Sequence, residues 1–64
     1  MQLKEFLKLL PTSQEIDIST ENDLIYEGYS EGYIGEDYEI IDVDSYADVR
    51  NYDTVYSVIS IGVR

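Results

Sequence analysis

The chain has 64 residues, of which 14 are acidic and 4 basic, giving a formal net charge of −10 at pH 7. A chain of this length forms one domain (residues 1–64) with on the order of 3–5 kcal/mol of net stability, too small to enclose a deep catalytic cleft. Cysteine and histidine are absent, which excludes disulfides, thiolate chemistry, zinc sites of the usual kind and imidazole acid–base catalysis.

Leu3, Phe6, Leu7 and Leu10 recur at helical spacing with Lys4, Glu5 and Lys8 on the other side, so a short amphipathic helix is expected, ended by Pro11. Its apolar stripe suits a lid over a core. In Gln14–Ser19, Ile16 and Ile18 alternate with Glu15 and Asp17, the period-two pattern of a half-buried strand. Thr20–Asp23 supplies turn formers, and Leu24–Tyr29 reads as the returning strand of a hairpin. The register of that strand stays open by one residue: Leu24 and Tyr26 share one face, Ile25, Glu27 and Tyr29 the other.

Ser30–Asp37 carries Gly32 and Gly35 around Tyr33 and Ile34 and reads as a loop or a single helical turn. Tyr38–Tyr46 is rich in β-formers, but Ile40, Ile41 and Val43 do not keep one phase, which implies a bulge or two-sided burial. Ala47–Asp53 reads as a polar turn. Val55–Val63 is the strongest strand pattern and carries no charge. As an open edge it would invite pairing with another chain, so it is expected as the central strand or as the seam of a homodimer. The sum is an α+β fold, a short amino-terminal helix packed on an antiparallel sheet of about four strands.

The segment MQLKEFLKLLPTSQ has neither the uninterrupted apolar run nor the small-residue cleavage site of a signal peptide. No stretch reaches the roughly 20 apolar residues of a bilayer crossing, and an anionic membrane surface would repel this chain, so a cytoplasmic location is expected. Counted from Asp42, carboxylates fall at Asp42, Asp44, Asp48 and Asp53 in the spacing of an EF-hand calcium loop. Ala47 replaces the turn glycine, Tyr46 an oxygen ligand and Asp53 the bidentate glutamate, and the flanks read as strands, so no metal or other cofactor is assigned. No nucleophile has a base partner, no glycine loop suits a phosphate, no basic patch suits nucleic acid, and no apolar pocket surrounds the clustered carboxylates. The chain is expected not to be an enzyme.

What remains is the charge pattern. Between Glu15 and Asp53 lie 13 of the 14 acids and 6 of the 7 tyrosines, opposed by the single base Arg50. Solubility alone asks for a net charge of about 2–8 in magnitude with both signs mixed. On a strand, residues i and i+2 lie about 6.7 Å apart, so Asp42 with Asp44, or Glu15 with Asp17, project rows of like charge. Tyrosines between such rows add flat apolar area that stacks on arginine. This pattern fits a basic protein surface. The residues expected to form the binding face are Glu36, Asp37, Glu39, Asp42, Asp44 and Asp48, with Tyr33, Tyr38 and Tyr46 as stacking anchors.

The helix–proline opening MQLKEFLKLLP and the hairpin EIDIS…DLIYEG resemble small acidic proteins of phages and mobile elements of Gram-positive bacteria. Some proteins of this type are anti-CRISPR proteins that inhibit Cas9, several through acidic surfaces that occupy the site for target DNA. The resemblance implies a DNA-mimic inhibitor of a nucleic-acid-binding enzyme such as Cas9 of a type II-A system, acting in a bacterial host cell. The other expectation is a small structural or regulatory module of a mobile element that self-associates through Val55–Val63.

Overall fold

The computed structural model describes residues 1–52 and 54–64. In chain order it contains α1 (Leu3–Leu7), β1 (Glu15–Ser19), β2 (Leu24–Tyr29), a single 3₁₀ turn (Ser30–Gly32), β3 (Ile40–Arg50) and β4 (Thr54–Val63). The α+β arrangement of one short helix on four strands is as the sequence implies. The helix is shorter than its apolar periodicity suggests: Leu9 and Leu10 follow in turns whose amides bond to the Phe6 and Leu7 carbonyls, ahead of Pro11.

The strands lie side by side in the order β2-β1-β4-β3. Two antiparallel hairpins, β1·β2 and β3·β4, are joined through a parallel pairing of β1 with β4. The sheet is therefore mixed and not purely antiparallel. The departure follows from the connection: β2 and β3 occupy opposite edges, so residues 30–39 must cross the width of the sheet, roughly 14 Å at three strand spacings. Because β2 and β3 run in the same direction, the segment also returns along the length of the strands, and that return sets β4 parallel to β1. Its residues Tyr33 and Tyr38 pack against the core, so it runs over the same face as α1.

Leu3, Ile16, Ile18, Ile61 and Val63 form the buried cluster, with Phe6, Leu7, Leu10, Ile25, Tyr26, Ile40 and Ile59 packed around it. Directly opposed residues share a face, and Ile16 meets Ile59 while Ile18 meets Ile61, so the parallel pairing carries the centre of the core. Burying each such side chain contributes about 1.5–3 kcal/mol. The open register of β2 is settled over residues 26–29, where Tyr26 opposite Ile18 turns inward and Glu27 outward. A register shift ahead of Tyr26 sets Leu24 opposite Ser19 and brings Ile25 against the core, so neither alternating set holds along the whole strand. The Tyr26 ring curls over Gly28 and Gly32, and its hydroxyl donates to the Tyr29 carbonyl at 2.7 Å. A side chain at Gly28 would begin 2.7 Å from that hydroxyl oxygen, so any larger residue must displace the ring.

The phase break in β3 is a bulge. Ile40 opposes Val63 and Asp42 opposes Gly62, leaving Ile41 as the extra residue, after which Val43 regains the core side opposite Ile61. β3 then continues to Arg50, four residues past the expected strand end, because Ala47 and Val49 still alternate with Asp48 and Arg50. The turn is confined to the tip, where Asn51 and Tyr52 take positive φ of 50° and 62°. β4 is one of the two inner strands, flanked by β1 over Val58–Gly62 and by β3 over its whole length. It therefore offers no open edge over most of Val55–Val63. The β3·β4 ribbon outruns the other hairpin as an arm, which gives the molecule extents of 35 × 25 × 17 Å.

The segment before β1 is tied down by Glu31, whose carboxylate accepts the Ser13 amide while Ser13 holds a φ of 64°. Its own backbone amide and that of Ser13 hold the Glu31 carboxyl below its ordinary value of 4.5. A lowered folded value means stabilisation that is present above 4.5 and lost as pH falls through the folded value. Glu31→Ala is accordingly less stable than wild type at neutral pH, and the difference closes in acid, as read by urea unfolding across a pH series. In the core, Ile61→Ala costs about 2–5 kcal/mol, enough to leave the chain largely unfolded by circular dichroism. Val55→Ala, at a position 61% exposed on the arm, leaves the fold intact.

Candidate functional site: the outer face of the sheet

Side chains that alternate with the core positions project from the opposite face, where Val58 is buried beneath its neighbours and the tyrosines are exposed. The pairings align them in rows across the strands: Glu27, Asp17, Ser60 and Asp44 in one, Tyr29, Glu15, Val58 and Tyr46 in the next, then Tyr56 beside Asp48. Asp42 stands beside Gly62 at the other end. Carboxylates from β1, β2 and β3 thus share one surface, with tyrosines between them. Strands of three separate sequence segments are needed to build it.

Like charges placed this close require local compensation. Asp17 and Glu27 are directly opposed, and the Asp17 carboxylate accepts hydrogen bonds from the Ser60 hydroxyl at 2.6 Å and the Tyr46 hydroxyl at 2.9 Å. The bond to Asp17, with smaller contributions from desolvation and neighbouring charge, raises the Tyr46 phenol above its ordinary value of 10.0. Arg50 donates through Nη1 to Glu15 at 2.8 Å and through Nε to Asp48 at 2.8 Å, while its guanidinium lies 4.5 Å from the centroid of the Tyr56 ring. These carboxylates, Glu15 first and Asp48 next, push the Arg50 pKa up. The base is thereby spent within the face. A cavity of about 270 Å³ opens among Glu15, Glu27, Tyr29, Tyr46, Asp48 and Arg50.

The residues singled out in the sequence divide between three places. Asp42, Asp44, Tyr46 and Asp48 stand together on the outer face of β3. Glu36 and Asp37 lie on the crossing segment, where the Asp37 carboxylate accepts the Lys4 amide at 2.9 Å in the first turn of α1. Glu39 pairs with Arg64 at 2.7 Å at the end of the sheet. Tyr33 and Tyr38 are half-buried against the core. Tyr33 meets Tyr26 edge to face at 5.3 Å and donates to the Glu36 carbonyl at 2.6 Å, and desolvation is the first cause of its raised pKa. Both rings hold the crossing segment down, a role different from the stacking expected of them. Glu15, Asp17, Glu27, Tyr29 and Tyr56 join the face instead. The Glu15 and Asp17 row is visible in the sequence, whereas its adjacency to Asp44 depends on the parallel pairing through β4.

Asp42, Asp44 and Asp48 are strung along an extended strand and do not wrap a cation, while Asp53 lies outside the described residues. Among the described residues no group of metal-ligating side chains converges, and no helix is long and apolar enough to cross a membrane. A second cavity, about 400 Å³, lies between the end of α1 and the 3₁₀ turn, lined by Lys4, Leu7, Lys8, Leu10 and Tyr33. It is separate from the acidic face. Compared with protein-family models, with curated proteins and with solved structures, the chain finds no match.

A raised folded pKa at Tyr46 and Tyr33 means stabilisation that is complete below the ordinary value of 10.0 and lost as pH rises through the folded value. Stability should fall on the alkaline side of 10.0, and the double variant Tyr33→Phe/Tyr46→Phe should flatten that limb. Urea unfolding midpoints across an alkaline series measure this; an unchanged limb in the variant assigns the loss to other groups.

Proposed function

We propose that this chain is a non-enzymatic acidic interaction protein whose outer sheet face enters the basic nucleic-acid groove of a partner enzyme. The carrying observation is the row of Glu27, Asp17, Ser60 and Asp44 across all four strands, flanked by Glu15, Asp42 and Asp48. Strands about 4.8 Å apart with carboxylates about 6.7 Å apart along them make a negative lattice sparser than duplex DNA, which carries one charge per roughly 1.7 Å of axis. Tyr29, Tyr46 and the fully exposed Tyr52 at the arm tip supply rings for arginine stacking. An Arg/Lys-lined groove selected to hold phosphates meets both features. Cas9 of a type II-A system is the partner to which the sequence resemblance points, and a DNA-mimic inhibitor in a bacterial host cell is the corresponding role.

Binding of this kind is steered by long-range charge, so association is fast at low salt and weakens steeply as salt rises. The protein should compete with target DNA for the Cas9–guide complex at physiological salt, measured by fluorescence anisotropy of labelled duplex. Single neutralisations at Glu27→Gln, Asp42→Asn or Asp44→Asn should each weaken competition about two- to fivefold, the range of an exposed ion pair. Neutralising Glu36, far from these rows, should matter less. Undiminished DNA binding at micromolar protein would overturn the assignment to Cas9.

A further inference from the structure

We infer that the free edge of β3 pairs antiparallel with the same strand of a second copy, about a two-fold axis at Ala47, to join two four-stranded sheets into one. The proposal does not rest on the occupancy of a basic groove. β3 is the outer strand of the sheet and has 11 residues, about twice the usual strand length. Its start is covered, because the Leu3 amide bonds to the Tyr38 carbonyl and the Ile40 amide to the Met1 carbonyl. From Asp42 to Arg50 no strand among the described residues lies beyond it. Protected edges carry charged side chains, above all lysine, or proline, a bulge or a covering element. β3 has neither lysine nor proline and its bulge lies at Ile41, before the bare stretch, so its charged residues Asp42, Asp44, Asp48 and Arg50 are what any pairing register has to accommodate.

Hydrogen-bond parity and charge then select the register. The Ser45 amide donates to its neighbouring Asp44 carboxylate at 2.9 Å, which marks Ser45, and with it Ala47 and Val49, as residues whose amides face the open edge. A two-fold axis at Ala47 lets the two Ala47 residues exchange both backbone bonds. On the outer face this register sets Asp44 opposite Arg50, whose guanidinium already bridges Glu15 and Asp48 of its own protomer and is therefore shared with the incoming carboxylate, and Tyr46 opposite Asp48, each twice by symmetry. No two carboxylates are directly opposed. An axis at Tyr46 would instead place Asp44 against Asp48, an axis at Asp48 would place that residue against itself, and an axis at Ser45 would oppose Asp42 to Asp48. On the other face the same register brings Ser45 against Val49 and covers part of the arm's apolar side, where Val43 is 45% and Val49 65% exposed.

The two protomers also repel at long range, each with a charge of −10, so pairing through this edge strengthens as salt is added. Capture by a basic groove has the opposite salt dependence. Sedimentation equilibrium of the full chain over a salt series should show a monomer–dimer equilibrium that shifts to dimer at high salt. Ala47→Pro removes an edge-facing amide and should abolish the dimer while leaving the circular dichroism spectrum unchanged. Asp44→Arg sets arginine against Arg50 and should weaken dimerisation about tenfold, since two cross-strand pairs invert together. A wild-type chain that stays monomeric across the series, or a dimer indifferent to Ala47→Pro, would overturn the proposal. Tighter dimerisation of Asp44→Arg would overturn the register.

Discussion

The contact on which the rest of the molecule depends is the parallel pairing of β1 with β4. Two hairpins of this size are each marginal in water, and neither encloses a core alone. Set side by side, they bring Ile16 and Ile18 against Ile59 and Ile61, and α1 closes over that patch through Leu3. The same pairing places Glu15 and Asp17 beside Val58 and Ser60, within reach of the β3 side chains Tyr46 and Asp48. Core and acidic face are two sides of one register, so a slip between the hairpins would dissolve both.

The outer face shows how a small sheet tolerates concentrated charge. Its carboxylates are not paired off one by one with bases. Arg50 serves Glu15 and Asp48 together, braced on the Tyr56 ring, and the Asp17 carboxylate relies on two hydroxyls. Hydroxyl donors cost no formal charge, so they stabilise an acid without cancelling the field it projects. Such a face holds its shape and keeps most of its negative potential.

Much of the fold is legible from period and punctuation. Ile16 and Ile18 against Glu15 and Asp17 mark β1 and the side it buries, and the broken phase at Ile40, Ile41 and Val43 marks the bulge. The strand direction is not legible, because alternation is identical in parallel and antiparallel neighbours; only the crossing of residues 30–39 over the sheet decides it. The site divides along the same line. Asp42, Asp44, Tyr46 and Asp48 lie on one strand and follow from period two, whereas Glu27 needed the β2 register and Glu15 and Asp17 needed to be placed next to β4. Tyr33 and Tyr38 show the limit of composition: a tyrosine flanked by acids looks exposed, yet the connection that carries it runs over the core.

The bulge at Ile41 acts as a phase-keeper. Ahead of it, the chain is held by the amino-terminal residues and by Val63; behind it, every second side chain of β3 must point away from the core. One unpaired residue reconciles these two demands, because a strand without it would carry Asp42, Asp44, Tyr46 and Asp48 round to the inner side and Val43 and Val49 to the outer. The charge pattern of β3 is thus set by one apolar residue, whose side chain lies beside Asp42 over Gly62. Insertions and deletions in this strand are constrained in pairs, since a change of two residues preserves the alternation and a change of one inverts it.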